Sequence, residues 1–143
     1  MADLYKNVVL YDALGHDVDD LALGSRGPVV RAYIDSGSSN TIISERIAKR
    51  VQSIMSPVQL DYQGINGAPI DKRGIVTRIF AMQLQSRGCE VQPIAAAVSN
   101  ALIKHADIDA EIILGNDFLG RSRVTLHFGS KKSDNSVKCR GSR

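Results

Sequence analysis

The feature that most constrains this chain is an apolar stretch that ends in one Asp-Ser-Gly triplet. Residues 28–34 lead directly into Asp35, Ser36 and Gly37, and a second apolar pair follows at 42–43. Because Gly37 has no side chain, backbone N–H groups beyond it can approach the Asp35 carboxylate closely. A turn this short directs several donors at one anion. The pattern therefore predicts a carboxylate held at the edge of a β-rich core.

The rest of the chain also has the pattern of an all-β domain. Short apolar segments alternate with glycine-containing turns, as strands and their connections do. We expect strands over residues 4–11, 28–35, 75–84, 89–98 and 124–128.

Two short segments carry helix signals. Ser44 is a suitable N-cap for a helix over residues 45–51, which begins with an acid and ends with Lys49 and Arg50, as the helix dipole favours. Asn116 could cap a second, shorter turn over residues 117–119. We expect no other helix in the chain.

Length and composition limit the class of protein. The 143 residues, 43% of them hydrophobic, suffice for one domain with a buried core. No apolar run approaches the roughly 18 residues of a membrane span, and the N-terminus lacks the pattern of a signal peptide. We therefore expect a cytoplasmic protein that makes no contact with a membrane.

Neither the cysteines nor the acidic residues have the spacing of a metal site. Cys89 and Cys139 lie in different surroundings, and we expect two free thiols in a reducing compartment rather than a bridge. Residues 15–20 lack the glycine and the distal glutamate of a calcium loop, so we expect a solvated turn there. The sequence predicts no metal and no other cofactor.

The net charge of +3 is concentrated at the C-terminal end. Residues 131–143 carry five basic side chains and one acidic one, so the rest of the chain is close to neutral. A basic tail on a neutral body differs from the basic surface of a nucleic-acid-binding domain. An RNA-binding barrel would also need aromatic stacking platforms, and the chain has three Phe, four Tyr and no Trp. We expect residues 130–143 to be a disordered tail and expect no nucleic-acid partner.

A second motif follows about eighty residues after the triplet. Residues 113–119 read Ile-Leu-Gly-Asn-Asp-Phe-Leu, with Glu111 just before them. Together with the triplet and the Ser-rich, Ile-containing segment 38–44, this motif resembles the retropepsin-like (retroviral-type) aspartic protease family in its single-domain homodimeric form. The resemblance implies an acid-protease fold over residues 1–129, a closed β-barrel subunit with a flap hairpin and one or two short helices. The strand of the second motif would support the catalytic turn from behind.

The resemblance also implies roles for the triplet and the residues after it. Asp35 would be the catalytic aspartate, Ser36 would form an interlocking hydroxyl bond across a dimer, and Gly37 would contact the substrate backbone. Ser38 and Ser39 would lie beside the substrate. Viral members carry acidic residues shortly after the triplet, so their substrate preferences do not transfer to this chain.

A flap is expected between the two motifs. Strand-like segments flank the pair Asn66 and Gly67, and Asn-Gly is the strongest short signal for a hairpin. Gly64, Ile65, Asn66 and Gly67 would form the tip, where glycines would allow it to lift and close over substrate. Ile65 would exclude water and touch the substrate.

One triplet per chain is half of a catalytic site. Peptide hydrolysis by carboxylates alone needs two of them, one as a base on water and one as a donor to the scissile carbonyl. A two-fold dimer that places Asp35 beside its own copy would supply the pair. In viral members the chain termini form an interface sheet, and the resemblance allows residues 124–128, together with 4–10, to do so here.

The sequence therefore predicts an aspartic endopeptidase that hydrolyses extended polypeptides as a homodimer, with water as the nucleophile. The alternative is a catalytically silent dimeric peptide-binding or scaffolding module of the same fold. The intact triplet at Asp35 favours the enzyme, because a binding module has no need of a buried carboxylate.

Overall fold

The structure is a computed structural model of the chain. It describes residues 4–14, 22–51, 55–56, 76–85, 88–120, 124–127 and 136–139. The strands in these residues are β1 (Tyr5–Leu14), β2 (Ala22–Ile34), β3 (Ile42–Ile43), β4 (Met55–Ser56), β5 (Val76–Leu84), β6 (Gln92–Val98), β7 (Ile112–Leu114), β8 (Val124–His127) and β9 (Ser136–Cys139). The helices are α1 (Glu45–Arg50), α2 (Asn100–Ala106) and α3 (Asn116–Leu119).

Six of the strands close into a barrel. Neighbours pair in the order β1, β2, β7, β3, β6 and β5, and β5 pairs again with β1. At this closure Val8 lies opposite Val30 on one side and Leu84 on the other. β4 extends the sheet beyond β5. The closed all-β barrel predicted from the sequence is confirmed.

Side chains of β7 and β3 alternate between two apolar clusters, as the two faces of a sheet require. In β7, Ile112 and Leu114 belong to the main cluster and Ile113 to the second. In β3, Ile43 and Ile42 divide in the same way, and α2 contributes to the second cluster. This part of the sheet is therefore covered on both faces. A register slip would exchange the two sets of side chains, so the burial fixes the register.

The helices agree with the sequence at α1 and differ from it at α2. Ser44 Oγ accepts a hydrogen bond from Ile47 N at 3.2 Å and caps α1 as predicted. No helix was expected where α2 lies, although Ser99 caps it through Leu102 N at 3.1 Å. Asp107 ends α2 in the left-handed region, at φ 53°, which Asp tolerates better than most residues. In the described residues, no helix is long and apolar enough to span a membrane.

β1 lies inside the sheet. Residues 5–9 pair with β2, and residues 8–11 pair with β5. Asn7 O also accepts a hydrogen bond from Gln85 N at 3.0 Å. Val8, Val9 and Tyr11 thus pair on both edges within their own chain. An interface sheet formed by residues 124–128, together with 4–10, stays a prediction.

Residues 136–139 belong to the folded body. β9 pairs with β8 in a two-stranded antiparallel sheet, in which Leu126 lies opposite Val137 and Val124 opposite Cys139. Val137 and Cys139 are buried and join the main apolar cluster. The prediction of a disordered tail over residues 130–143 is therefore wrong for these four residues. Because the segment is mainly basic and polar, its two apolar side chains at alternate positions were not recognised as the pattern of a strand.

Cys139 forms a disulfide with Cys89, and their Cα atoms are 5.0 Å apart. The prediction of two free thiols is therefore wrong. The two cysteines are 50 positions apart in the sequence and meet because β9 returns to the residues just before β6. Disulfides persist in oxidising compartments. The bridge is therefore more typical of an oxidising compartment than of the cytoplasm, and no finding tests the location itself, which stays a prediction.

Loss of the bridge is expected to lower the free energy of unfolding by about 2–4 kcal/mol, the typical contribution of a disulfide. Cys139→Ser and the double variant Cys89→Ser/Cys139→Ser should lose the same amount, because both remove one bond. Urea unfolding measures the difference. A reductant should bring the wild-type protein to the level of the variants and leave the variants unchanged. Wild-type stability in either variant would contradict a structural bridge.

Candidate active site

Asp35 follows β2 in a tight turn that its own backbone and side chain shape. Its N–H donates to Leu114 O at 3.0 Å, and its carbonyl oxygen accepts from Ser38 N at 3.1 Å. Its Oδ1 accepts from Gly37 N at 2.9 Å, a bond that is charge-assisted when the carboxyl is ionised. Asp35 is partly buried, whereas Ser36 and Gly37 are exposed. One face of this turn is therefore open in the single chain.

The segment from β7 into α3 supports the turn from behind. β7 pairs in parallel with β2 and antiparallel with β3, so it lies between the strands that flank the triplet. Asn116 N donates to Ser38 O at 2.8 Å, and Asn116 Nδ2 donates to Ser36 O at 2.6 Å. The cap position of α3 is Gly115, without a side-chain bond. The predicted capping role of Asn116 is therefore wrong, and its side chain holds the turn instead.

Asp117 fastens the chain where the turn leads into β3. Its Oδ2 accepts from Thr41 N at 2.9 Å, and its Oδ1 accepts from Thr41 Oγ1 at 2.7 Å. The Thr41 hydroxyl also accepts a hydrogen bond from Gly115 N at 3.2 Å. Thr41 is fully buried, and buried polar groups require such partners. The Asp117 carboxylate thus has a structural role close to the candidate catalytic residue.

Gly115 lies at a close approach between the β7–α3 segment and the turn after Asp35. A Cβ atom at this position would be 2.6 Å from Asn40 O and 2.8 Å from Ser38 O. Both neighbours are backbone atoms that are held in the turn, so they cannot move aside easily. The absence of a side chain at Gly115 is what lets the β7–α3 segment contact the turn directly.

Asp35, Ser36 and Gly37 form one tight turn, and the two serines that follow them differ in burial. Ser38 is buried, and its Oγ donates to Asn40 O at 2.8 Å. Its hydroxyl therefore stabilises the turn in the single chain. Ser39 is exposed. A substrate contact by either serine stays a prediction.

The predicted flap tip, Gly64, Ile65, Asn66 and Gly67, lies outside the described residues. β4 and β5, which precede and follow that part of the sequence, pair antiparallel. Residues 15–20, which were expected to form a solvated turn rather than a calcium loop, also lie outside the described residues. Within the residues that are described, no group of three or more His, Cys, Asp or Glu side chains is arranged to hold a metal ion.

Sequence reasoning assigned no side-chain contact with the turn to three residues that hold it or the segment just after it, namely Thr41, Asn116 and Asp117. The second motif was assigned a supporting role, but its individual side-chain contacts were not foreseen. The only local signals are a threonine just before an apolar pair and two polar residues just after Gly115. Their partners are 74 to 80 positions away in the sequence, so no local pattern identifies them.

Glu111 ties the start of β7 to the beginning of α1. Its carboxylate accepts from Ser44 Oγ at 3.0 Å and from Arg46 Nε at 2.9 Å, and it also pairs with Arg46 Nη2. The hydrogen bond from Arg46 lowers the pKa of Glu111, partial burial opposes this shift, and the Ser44 hydroxyl adds to it. The same hydrogen bond raises the pKa of Arg46. Ser44 is thereby held in its capping position.

Comparison with known proteins identifies the family. The chain matches the model of the family described as "gag-polyprotein putative aspartyl protease" over residues 24–121, more than half of its length. The chain belongs to this family. The matched residues include the Asp35 turn and the β7–α3 segment that supports it. The aspartic protease resemblance found in the sequence is confirmed at the level of family and fold.

Two solved structures resemble the chain at low sequence identity. The retroviral protease-like domain of Ddi1 from Leishmania major is 14% identical with a TM-score of 0.47, and the match covers 87% of this chain and 81% of that one. A retropepsin-like aspartic protease from Rickettsia conorii is 12% identical with a TM-score of 0.39, and the match covers 92% and 90%. No curated protein matches the chain.

Gly115→Ala is expected to destabilise the protein by about 1–3 kcal/mol or more, because the new methyl group would meet backbone oxygens that cannot relax. Gly37→Ala is the comparison, since its Cβ would approach only the Asp35 carboxylate, at 3.2 Å. Urea unfolding should rank Gly115→Ala well below Gly37→Ala. Equal stability of the two variants would show that the close approach at Gly115 is unimportant.

Glu111→Gln is expected to lower the thermal unfolding midpoint near neutral pH. The folded-state pKa of Glu111 is lowered from 4.5, so its ionised form contributes stability above that value. The contribution disappears as the pH falls through the lower folded-state pKa. Unfolding midpoints should therefore differ at pH 7 and converge towards pH 3. Glu90→Gln, at an exposed carboxylate, is the control, and a pH-independent loss in Glu111→Gln would contradict the assignment.

Proposed function

We propose that the protein is an aspartic endopeptidase that acts as a homodimer, in which each subunit contributes one Asp35. Its substrates are extended polypeptides, and its nucleophile is water. The observation that carries the proposal is the Asp35 carboxylate, which the Gly37 N–H holds in a turn with an exposed outer face. Membership of an aspartyl protease family supports the same function.

The dimer follows from the number of carboxylates that the reaction needs. The chain has one Asp-Ser-Gly triplet, and Ser36 and Gly37 are exposed beside Asp35. A two-fold axis at this exposed face would bring Asp35 next to its copy, because each turn meets itself in an isologous interface. The Ser36 hydroxyl would form its interlocking bond across that interface. The second subunit would also remove water from around the two carboxyls.

Two carboxyls in contact share one proton because ionising both would place like charges together; aspartic proteases are the standard example. The ionised member takes a proton from water while the water oxygen attacks the scissile carbonyl carbon. The protonated member donates a hydrogen bond to the carbonyl oxygen. The tetrahedral intermediate then loses its C–N bond as a proton passes to the amine. The pair ends with one proton, as it began.

The proposed substrate contacts surround the same turn. An extended peptide can bind by main-chain hydrogen bonds, as an added strand does, and the Gly37 backbone, Ser38 and Ser39 are the proposed partners on this side. The segment from Gly64 to Gly67 is proposed to close over the peptide as a flap, with its Ile side chain excluding water. The mechanism requires no metal and no other cofactor.

Asp35→Asn is expected to lower peptidase activity by about a hundredfold or more, the contribution typical of a general acid or base. Cleavage of denatured casein between pH 3 and pH 8 measures it, with the optimum on the acid side. Asp109→Asn is the matched control, because Asp109 is an exposed carboxylate in a surface ion pair with Arg31. Equal activity of wild-type protein and Asp35→Asn would refute the proposal.

Mixtures of wild-type and Asp35→Asn subunits test the shared site. If each active site needs two Asp35 carboxylates, an equilibrated equal mixture should retain about a quarter of the activity of pure wild type at the same total concentration. A retained half would indicate an active single chain. A dimer in sedimentation with no activity in any preparation would instead favour the silent peptide-binding module.

A further inference from the structure

We propose that Asn116 is a positioning residue for Asp35 and acts through the Ser36–Gly37 peptide group. The inference deepens the proposed function, since it concerns the carboxylate assigned there to catalysis. In the part of the chain that the structure describes, no hydrogen bond joins Asn116 to the Asp35 side chain. The Asn116 amide instead holds the peptide group that carries the hydrogen-bond donor to Asp35.

The connection runs through one rigid unit. Ser36 O accepts from Asn116 Nδ2 at 2.6 Å, and Gly37 N donates to Asp35 Oδ1 at 2.9 Å. This carbonyl and this N–H are the two ends of a single peptide group, which resonance keeps planar. Fixing the carbonyl end therefore fixes the direction in which the N–H points. The hydrogen bond to the carbonyl also polarises the group and strengthens its N–H as a donor.

The position of Asn116 makes this role specific to its side chain. Its backbone N–H donates a hydrogen bond to Ser38 O at 2.8 Å, so the backbone alone anchors the later part of the turn. The side-chain amide adds a second anchor, one residue after Asp35. Only the amide nitrogen can face a carbonyl oxygen favourably, because the amide oxygen has no proton to donate. The capping position that Asn often occupies is filled here by Gly115.

Loss of this anchor would leave the turn folded but less ordered at one peptide group. The bonds from Asp35 N to Leu114 O and from Ser38 N to Asp35 O do not involve the Asn116 side chain. The Ser36–Gly37 peptide could then rotate, and Asp35 Oδ1 would lose its donor for part of the time. An effect on the chemical step rather than on binding should therefore appear in kcat more than in KM.

The experiment compares Asn116→Ala with Asn100→Ala in the full chain. Asn100 is also exposed, and its side-chain Oδ1 accepts one hydrogen bond from a backbone group, Glu45 N, at 2.9 Å. We expect the Gly37 amide proton resonance to move upfield and its hydrogen exchange to accelerate in Asn116→Ala only. We expect kcat to fall about three- to tenfold, which matches the loss of one hydrogen bond, while KM changes less than twofold. Asn116→Gln, which keeps the amide donor, should recover part of the loss.

The outcomes separate this inference from the proposed function. An unmoved Gly37 amide in Asn116→Ala would overturn the positioning role, whatever the activity. A fall in kcat accompanied by greater loss of unfolding stability than in Asn100→Ala, with no recovery in Asn116→Gln, would assign Asn116 a purely structural role and also overturn it. A displaced Gly37 amide in a protein without peptidase activity would support the link to Asp35 while refuting the proposed function.

Discussion

The insertion of β7 between β2 and β3 is the constraint on which the rest of this structure depends. It places residues 115–117 directly behind the turn that follows Asp35. Close backbone contact is possible only because Gly115 has no side chain, as a Cβ there would lie within 3 Å of three backbone atoms. The strand that joins β2 to β3 within the barrel thus also leads into the support of the candidate site. Fold and site share one set of contacts.

The support divides the turn into two unlike faces. The inner face is held by Leu114 O, by the backbone and side chain of Asn116 and by the Asp117 carboxylate, which binds Thr41. The outer face exposes Ser36 and Gly37 beside Asp35. A turn that is held rigidly on its inner face and exposed on its outer face suits a carboxylate that must act on a molecule outside its own chain. In the proposed function, the outer face is covered by a second subunit and by substrate.

The sequence predicted those parts of the fold that depend on neighbouring residues. Five strand segments and α1 follow from local apolar pattern and capping, and the strongest site residue, Asp35, follows from the triplet. α2 was missed although Ser99 and the basic residues Lys104 and His105 suit its two ends, because the apolar run before it dominated the pattern. β9 and its bridge were missed for a different reason, since Cys139 meets Cys89 only through the return of the chain.

By itself, the sequence determined the all-β character, the position of the single candidate catalytic carboxylate and the family to which the two motifs belong. These are properties of short segments, set by side-chain alternation, glycine and hydrogen bonds over a few residues. Only the tertiary structure decided that Asn116 holds Ser36, that Asp117 holds Thr41 and that Cys89 is bonded to Cys139. Each of these contacts joins residues at least 50 positions apart. The first two pairs are brought together by the pairing of β7 with β2 and β3, and the cysteines by the return of β9, so no local pattern of residues encodes them.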